Sequence, residues 1–189
     1  MSKKGTRQIL LCGFMGCGKT SVGQALAFRL KWDFLDTDTM IEKRQGCSIP
    51  QIFQQQGEEA FRRMEEETAR LLGKRKNTII STGGGFLMRD QTVQALRSHA
   101  DGFETVVFLD CSFEACYQRI RNSDRPLVRN NSREELEQIF EQRQARYCQV
   151  ADVVIQNEQL ISQTVEEILT KVAIINESFC NRFNQFFCS

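Results

Sequence analysis

The chain has 189 residues, 41% apolar and 26% charged, with a formal net charge of +1. That length suits one domain with a small appendage, and the balance is that of an ordinary soluble globule, with no excess charge pointing to nucleic acid or a membrane surface. No apolar run approaches a membrane-spanning helix, the basic start is followed by an apolar stretch too short for a secretory signal, and the eight cysteines form no C-x-x-C pair, so they read as reduced thiols of a cytoplasmic protein.

The first strand, 9–12, runs directly into Gly13-Phe14-Met15-Gly16-Cys17-Gly18-Lys19-Thr20, which reads G-x-x-x-x-G-K-T. Strand, glycine-rich loop and helix in that order are what a phosphate-binding loop requires. Backbone N–H groups from Gly16, Cys17 and Gly18 through Ser21 can then turn inward as an anion-binding concavity. The following helix adds its positive N-terminal end. Lys19 would reach the outer phosphates, and the Thr20 hydroxyl would ligate Mg²⁺. The helix itself, 21–30, carries Val22, Leu26 and Leu30 at helical spacing, which marks one buried face.

The strand Asp33–Asp36 follows, and Thr37 or Asp38 is expected to cap a helix containing Met40 and Ile41. Asp36 and Asp38 stand two residues apart, so on extended backbone both carboxylates face one side. One can hold Mg²⁺ and the other can accept a proton from a hydroxyl nucleophile; the plainer alternative for either is helix capping. Ser48-Ile49-Pro50 opens the next helix, Gly57 breaks it, and 58–72 continues helical to Gly73. Phe61, Met64, Thr68 and Leu72 supply its apolar stripe, and Arg62 and Glu65 lie one turn apart beside it, spaced for an ion pair.

The strand Thr78–Ser81 ends in Thr82-Gly83-Gly84-Gly85, where three glycines suit close backbone approach to a ligand. Strand 105–109 is continuously apolar, as in a parallel sheet covered on both faces, and ends at Asp110. Helix 112–121 leads to the polar stretch 122–133, which reads as a mobile loop placed where a lid would be. Arg125-Pro126-Leu127 and Arg143-x-x-x-Tyr147 bracket that stretch, and arginine suits bidentate contact with a carboxylate or phosphate. Helix 134–148, strand 153–155 and helix 164–174 complete the alternation. His99 is read as a surface or helix-terminal residue, and Trp32 as packing on the sheet edge. The tail 176–189 carries Phe179, Phe183, Phe186 and Phe187 at helical spacing and reads as a short amphipathic helix packed on the domain.

Strands alternating with helices imply βαβ crossovers, a parallel sheet, and functional residues at the carboxyl ends of the strands. Taken together, the phosphate loop, Asp36-Thr37-Asp38, Gly57-Glu58-Glu59-Ala60-Phe61-Arg62, Gly83-Gly84-Gly85, Arg125-Pro126 and Arg143 with Tyr147 and Ala151-Asp152 resemble shikimate kinase, in order, from about residue 7 to 172. The resemblance implies a member of the P-loop nucleoside monophosphate kinase-like superfamily: a three-layer α/β/α domain over 1–175, a five-stranded parallel sheet, a mobile lid and a tail of separate character. It also implies phosphoryl transfer from ATP, with Mg²⁺, to the 3-hydroxyl of shikimate; with the composition read above, the protein is expected to be a cytoplasmic monomer that binds neither nucleic acid nor membrane. On this resemblance Asp38 meets the substrate hydroxyl, Arg62 and Arg143 clamp its carboxylate, and Gly84 and Gly85 touch it through backbone. Lys19 and Arg125 reach the transferring phosphate, Arg119 (rather than Arg121) lies against adenine, and Thr20 and Asp36 serve the metal. Departures from the family pattern are Ala145 in place of proline after Arg143, a short interval between Arg119 and Arg125, and Cys17 in the loop. Cys17 is expected to be a reactive thiol in the loop's positive field. A gluconate-kinase-like enzyme or a nucleotide-binding module without catalysis are the competing readings. The D-T-D, G-G-G and spaced arginines oppose the first, and the intact Lys19, Thr20, Asp36 and Asp38 oppose the second.

Overall fold

A computed structural model describes the backbone of residues 8–97 and 104–186, and the side chains as far as residue 175. Five strands, β1 (Gln8–Cys12), β2 (Asp33–Asp36), β3 (Thr78–Ser81), β4 (Glu104–Asp110) and β5 (Val153–Gln156), form one sheet in the order β2-β3-β1-β4-β5. Every pairing is parallel, with Leu10 opposite both Ile80 and Val106. β1 and β3 are buried at every residue, which is why their sequences read as apolar runs and not as alternations. Helices cover both faces in three α/β/α layers. α1 (Lys19–Leu30) packs with α8 (Ile161–Phe186), and α3 (Ile49–Leu72) packs with α4 (Asp90–Arg97). Between the layers Leu10, Leu11, Ile79, Ile80, Val107 and Leu109 are fully buried, joined by Phe14, Leu26, Leu72, Phe86 and Leu96.

Local chemistry sets the ends of the elements. α1 stops at Lys31, which adopts the left-handed conformation (φ 56°) while Trp32 N–H returns to Ala27 O at 3.0 Å. Ser48 N–H donates to Gln51 Oε1 at 2.9 Å at the start of α3, and Gly57 (φ 77°) kinks that helix. α5 (Phe113–Ile120) is capped by Ser112, and α7 (Arg133–Val150) by a reciprocal Ser132–Glu135 pair. Trp32 packs half-buried against the core.

Three expectations change. α2 (Thr37–Gln45) is capped by Asp36, whose Oδ1 accepts from Asp38 N–H at 3.1 Å and Thr39 N–H at 3.2 Å, and not by Thr37 or Asp38. The stretch 122–133 is not all loop: α6 (Pro126–Arg129) forms a helical turn there, started by a proline at its first position. The last helix and the tail are one continuous element to Phe186, because no glycine or proline interrupts 161–186. His99, Phe187 and the tail side chains lie outside the described residues. Among the described residues no helix is long and apolar enough to cross a membrane.

Candidate active site

The carboxyl ends of β1, β2 and β3 open into one cleft with two connected cavities. The first, about 450 Å³, is walled by Gly16, Gly18, Lys19, Thr20, Ser21, Arg119 and Asn157; the second, about 700 Å³, by Phe61, Arg62, Glu65, Gly85, Leu127 and Arg143. Both share Met15, Thr20, Asp36, Asp38, Gly83, Gly84 and Arg125. The two cavities therefore adjoin along a common wall that includes Asp38.

The loop folds back on its own lysine. Lys19 Nζ donates to Gly13 O at 3.0 Å and Phe14 O at 2.9 Å, which stretches its side chain back along the loop. Cys17 is only 1% exposed and packs in the core. That burial works against the access an alkylating reagent would need, although Lys19 Nζ stands 3.8 Å from the Cys17 sulfur. Arg119 reaches Gly16 O at 2.8 Å and lines the first cavity, whereas Arg121 does not line it.

The second cavity is lined by buried charge. Arg62 donates to Glu65 at 2.7 Å and to Glu58 at 2.8 Å, its side chain 12% exposed and that of Glu65 only 2%. Burial works against the Arg62 charge, yet the combined pull of Glu65 and Glu58 outweighs it and holds the guanidinium above its ordinary pKa. Arg143 approaches from α7 with its guanidinium 6.0 Å from the Phe14 ring centre. Asp38 is pushed up to about 6, first by burial and then by the neighbouring Asp36 carboxylate, with Lys19 and Arg125 pulling the other way.

The triple glycine packs directly against these groups. A Cβ at Gly83 would strike the Asp38 carboxylate, and one at Gly85 the Arg62 guanidinium. Two contacts that sequence reasoning did not anticipate fix its path. Gly83 N–H donates to the buried Thr37 hydroxyl at 2.8 Å, and Tyr147, 1% exposed, donates its hydroxyl to Gly84 O at 2.5 Å. In a trans peptide the C=O and N–H point opposite ways, so anchoring Gly84 O on Tyr147 turns Gly85 N–H the other way. Thr37 is the middle residue of D-T-D and Tyr147 the last of R-x-x-x-Y, so both stood inside motifs read for their charged members. Asp110, expected near the site as the end of β4, is instead tied to Gln144 at 3.1 Å and Gln156 at 2.9 Å and lines neither cavity.

The family model described as shikimate kinase matches residues 15–173 of this chain. A shikimate kinase of Geobacillus kaustophilus is 39% identical over 170 residues, 88% of each chain. The solved shikimate kinase of Acinetobacter baumannii, in complex with shikimate, superposes with a TM-score of 0.81 at 34% identity, covering 90% of this chain and 94% of that one. A gluconokinase from Sinorhizobium meliloti shares the fold at a TM-score of 0.59 and 18% identity, covering 96% and 99%.

Proposed function

The chain belongs to the shikimate kinase family, and from that premise we propose that it transfers the γ-phosphoryl group of ATP to the 3-hydroxyl of shikimate. One observation carries the assignment of roles: Asp38 stands on the wall common to the phosphate-loop cavity and the arginine-lined cavity. Phosphoryl transfer asks mainly for alignment and charge neutralisation. Backbone N–H groups from Gly16 to Ser21 cradle the phosphates, with Arg119 beside the base of the nucleotide. Lys19 leaves its loop carbonyls for the outer phosphates, and Arg125, exposed at the start of α6, gathers charge on the transferring group from the lid side. Arg62 and Arg143 hold the substrate carboxylate while Gly84 and Gly85 meet its ring through backbone. Asp38 orients the attacking hydroxyl and takes its proton.

Thr20 and Asp36 fit a magnesium ion. Both offer hard oxygen donors to both cavities, and the capping bonds of Asp36 use Oδ1, leaving its second oxygen uncommitted. Bound there, the metal would neutralise phosphate charge.

A carboxylate with a pKa of about 6 is mostly ionised at neutral pH yet is a better base than an ordinary aspartate. The ionised form is the active one, so kcat/KM for shikimate is expected to fall on the acid side with a midpoint near 6, about tenfold per pH unit below it. A pH profile flat from neutrality to pH 5 would remove the proton-accepting role. The assignment of substrate is tested by following ADP release with ATP, Mg²⁺ and either shikimate or gluconate. Turnover with shikimate alone is expected; turnover with gluconate instead, or with neither, would favour the two competing readings.

A further inference from the structure

Asn157 follows β5 directly and is only 7% exposed. Its backbone N–H donates to Asp110 O at 2.6 Å, which fixes it beside the end of β4. Its side chain faces the phosphate loop: Nδ2 donates to Cys17 O at 2.5 Å, and Oδ1 accepts from the Thr164 hydroxyl at 2.8 Å. The backbone carbonyl of Cys17 can only accept, so the amide nitrogen must be the end that meets it. Thr164, fully buried at the first turns of α8, holds the other end.

The Cys17 carbonyl shares its peptide plane with the Gly18 N–H. In a trans peptide the two point in opposite directions, so holding the carbonyl on Asn157 fixes the Gly18 N–H pointing away from Asn157, at a loop position that lines the same cavity as Gly16, Lys19 and Asn157 itself. Gly18 completes the fit. It adopts φ +99°, and a Cβ there would stand 2.9 Å from Asn157 Nδ2, in the space the amide occupies. Side-chain positioning of a loop amide in this way sets the anion concavity before any ligand arrives.

We propose that Asn157 is a positioning residue for the nucleotide site: through the Cys17 carbonyl it aims the Gly18 N–H at the phosphates, and Thr164 locks its amide in that orientation. The assignment rests on the phosphate-loop reading above and extends it to two residues outside the loop. It predicts a defect confined to the nucleotide. Asn157→Asp keeps the size of the side chain but sets an acceptor against the Cys17 carbonyl; because Asn157 also walls the nucleotide cavity, its new charge repels ADP as well, and Thr164→Val, which adds no charge, separates the two effects. ADP affinity measured calorimetrically on the full chain, and KM for ATP, should each weaken about tenfold, with KM for shikimate within about twofold. Thr164→Val, at a residue that lines neither cavity, should weaken ADP binding in the same direction by about threefold. ADP bound to both variants as tightly as to the wild type, or ADP and shikimate affinities falling together, would overturn the proposal. Should Asn157→Asp fail to fold, Thr164→Val decides alone. Loss of ADP binding by the wild-type chain itself would instead strike at the phosphate-loop reading.

Discussion

Asp38→Asn is expected to lower kcat with shikimate by a factor of ~10²–10⁴, the range typical of a lost general base, while the fold survives. The amide fills the same volume, and Asp38 makes no capping bond of its own: the cap of α2 is Asp36. Stability should not suffer at neutral pH. Burial raises the folded-state pKa of Asp38 from 3.8 to about 6, so the folded protein binds this proton more tightly than the unfolded chain does. Its favourable contribution is therefore present below pH 4 and lost as pH rises through 6, and at pH 7 the native state carries an ionised, poorly solvated carboxylate. Removing that charge should leave the melting temperature at pH 7 unchanged or raise it by a few degrees. Steady-state kinetics together with thermal unfolding at pH 5 and pH 7 test both parts. Near-normal turnover would refute the base role, and a large fall in melting temperature would mean the carboxylate is structural.

Arg62→Ala is expected to raise KM for shikimate about a hundredfold and to change KM for ATP less than twofold. Each charge-assisted hydrogen bond is worth roughly 1.5–3 kcal/mol, and a bidentate contact contributes two of them, so at about 1.4 kcal/mol per tenfold a factor of 10² is the conservative end. The substitution also removes the partner of Glu65, whose side chain is 2% exposed, and an unpaired buried carboxylate costs several kcal/mol. Arg62→Lys separates the two effects. It keeps a cation beside Glu65 but loses the planar fork, so KM for shikimate should still rise about tenfold with most of the stability retained. A wild-type KM in either variant would remove Arg62 from the carboxylate clamp.

The parts of this molecule legible in the sequence are those whose chemistry is local. A phosphate loop must carry its glycines and Lys19 in one contiguous run. The turn from β2 into α2 must hold both aspartates within three residues, and Arg62 and Glu65 meet because one helical turn brings them together. The apolar runs of β1 and β4 announced a sheet covered on both faces for the same reason. What the sequence concealed depends on long-range placement. Thr37 meets Gly83, Tyr147 meets Gly84, and Asn157 meets Cys17 across the sheet order, and no spacing rule connects residues that far apart. Uncharged partners also carry no sequence signal of their own: an asparagine after a strand reads as a turn. Cys17 shows the reverse case, since its place in the loop was legible but its burial was not. The turn α6 was hidden because Pro126 reads equally well as a loop residue and as a helix opener.

The proposed use of the two adjoining cavities for donor and acceptor, with Asp38 on their common wall, makes one demand on the product. Full-length protein incubated with shikimate, Mg²⁺ and ATP labelled at the γ-phosphate should move the label to shikimate, and phosphorus–proton correlation should place the new ester on the 3-hydroxyl. Label left in ATP or released as inorganic phosphate, or an ester on another hydroxyl, would contradict the account.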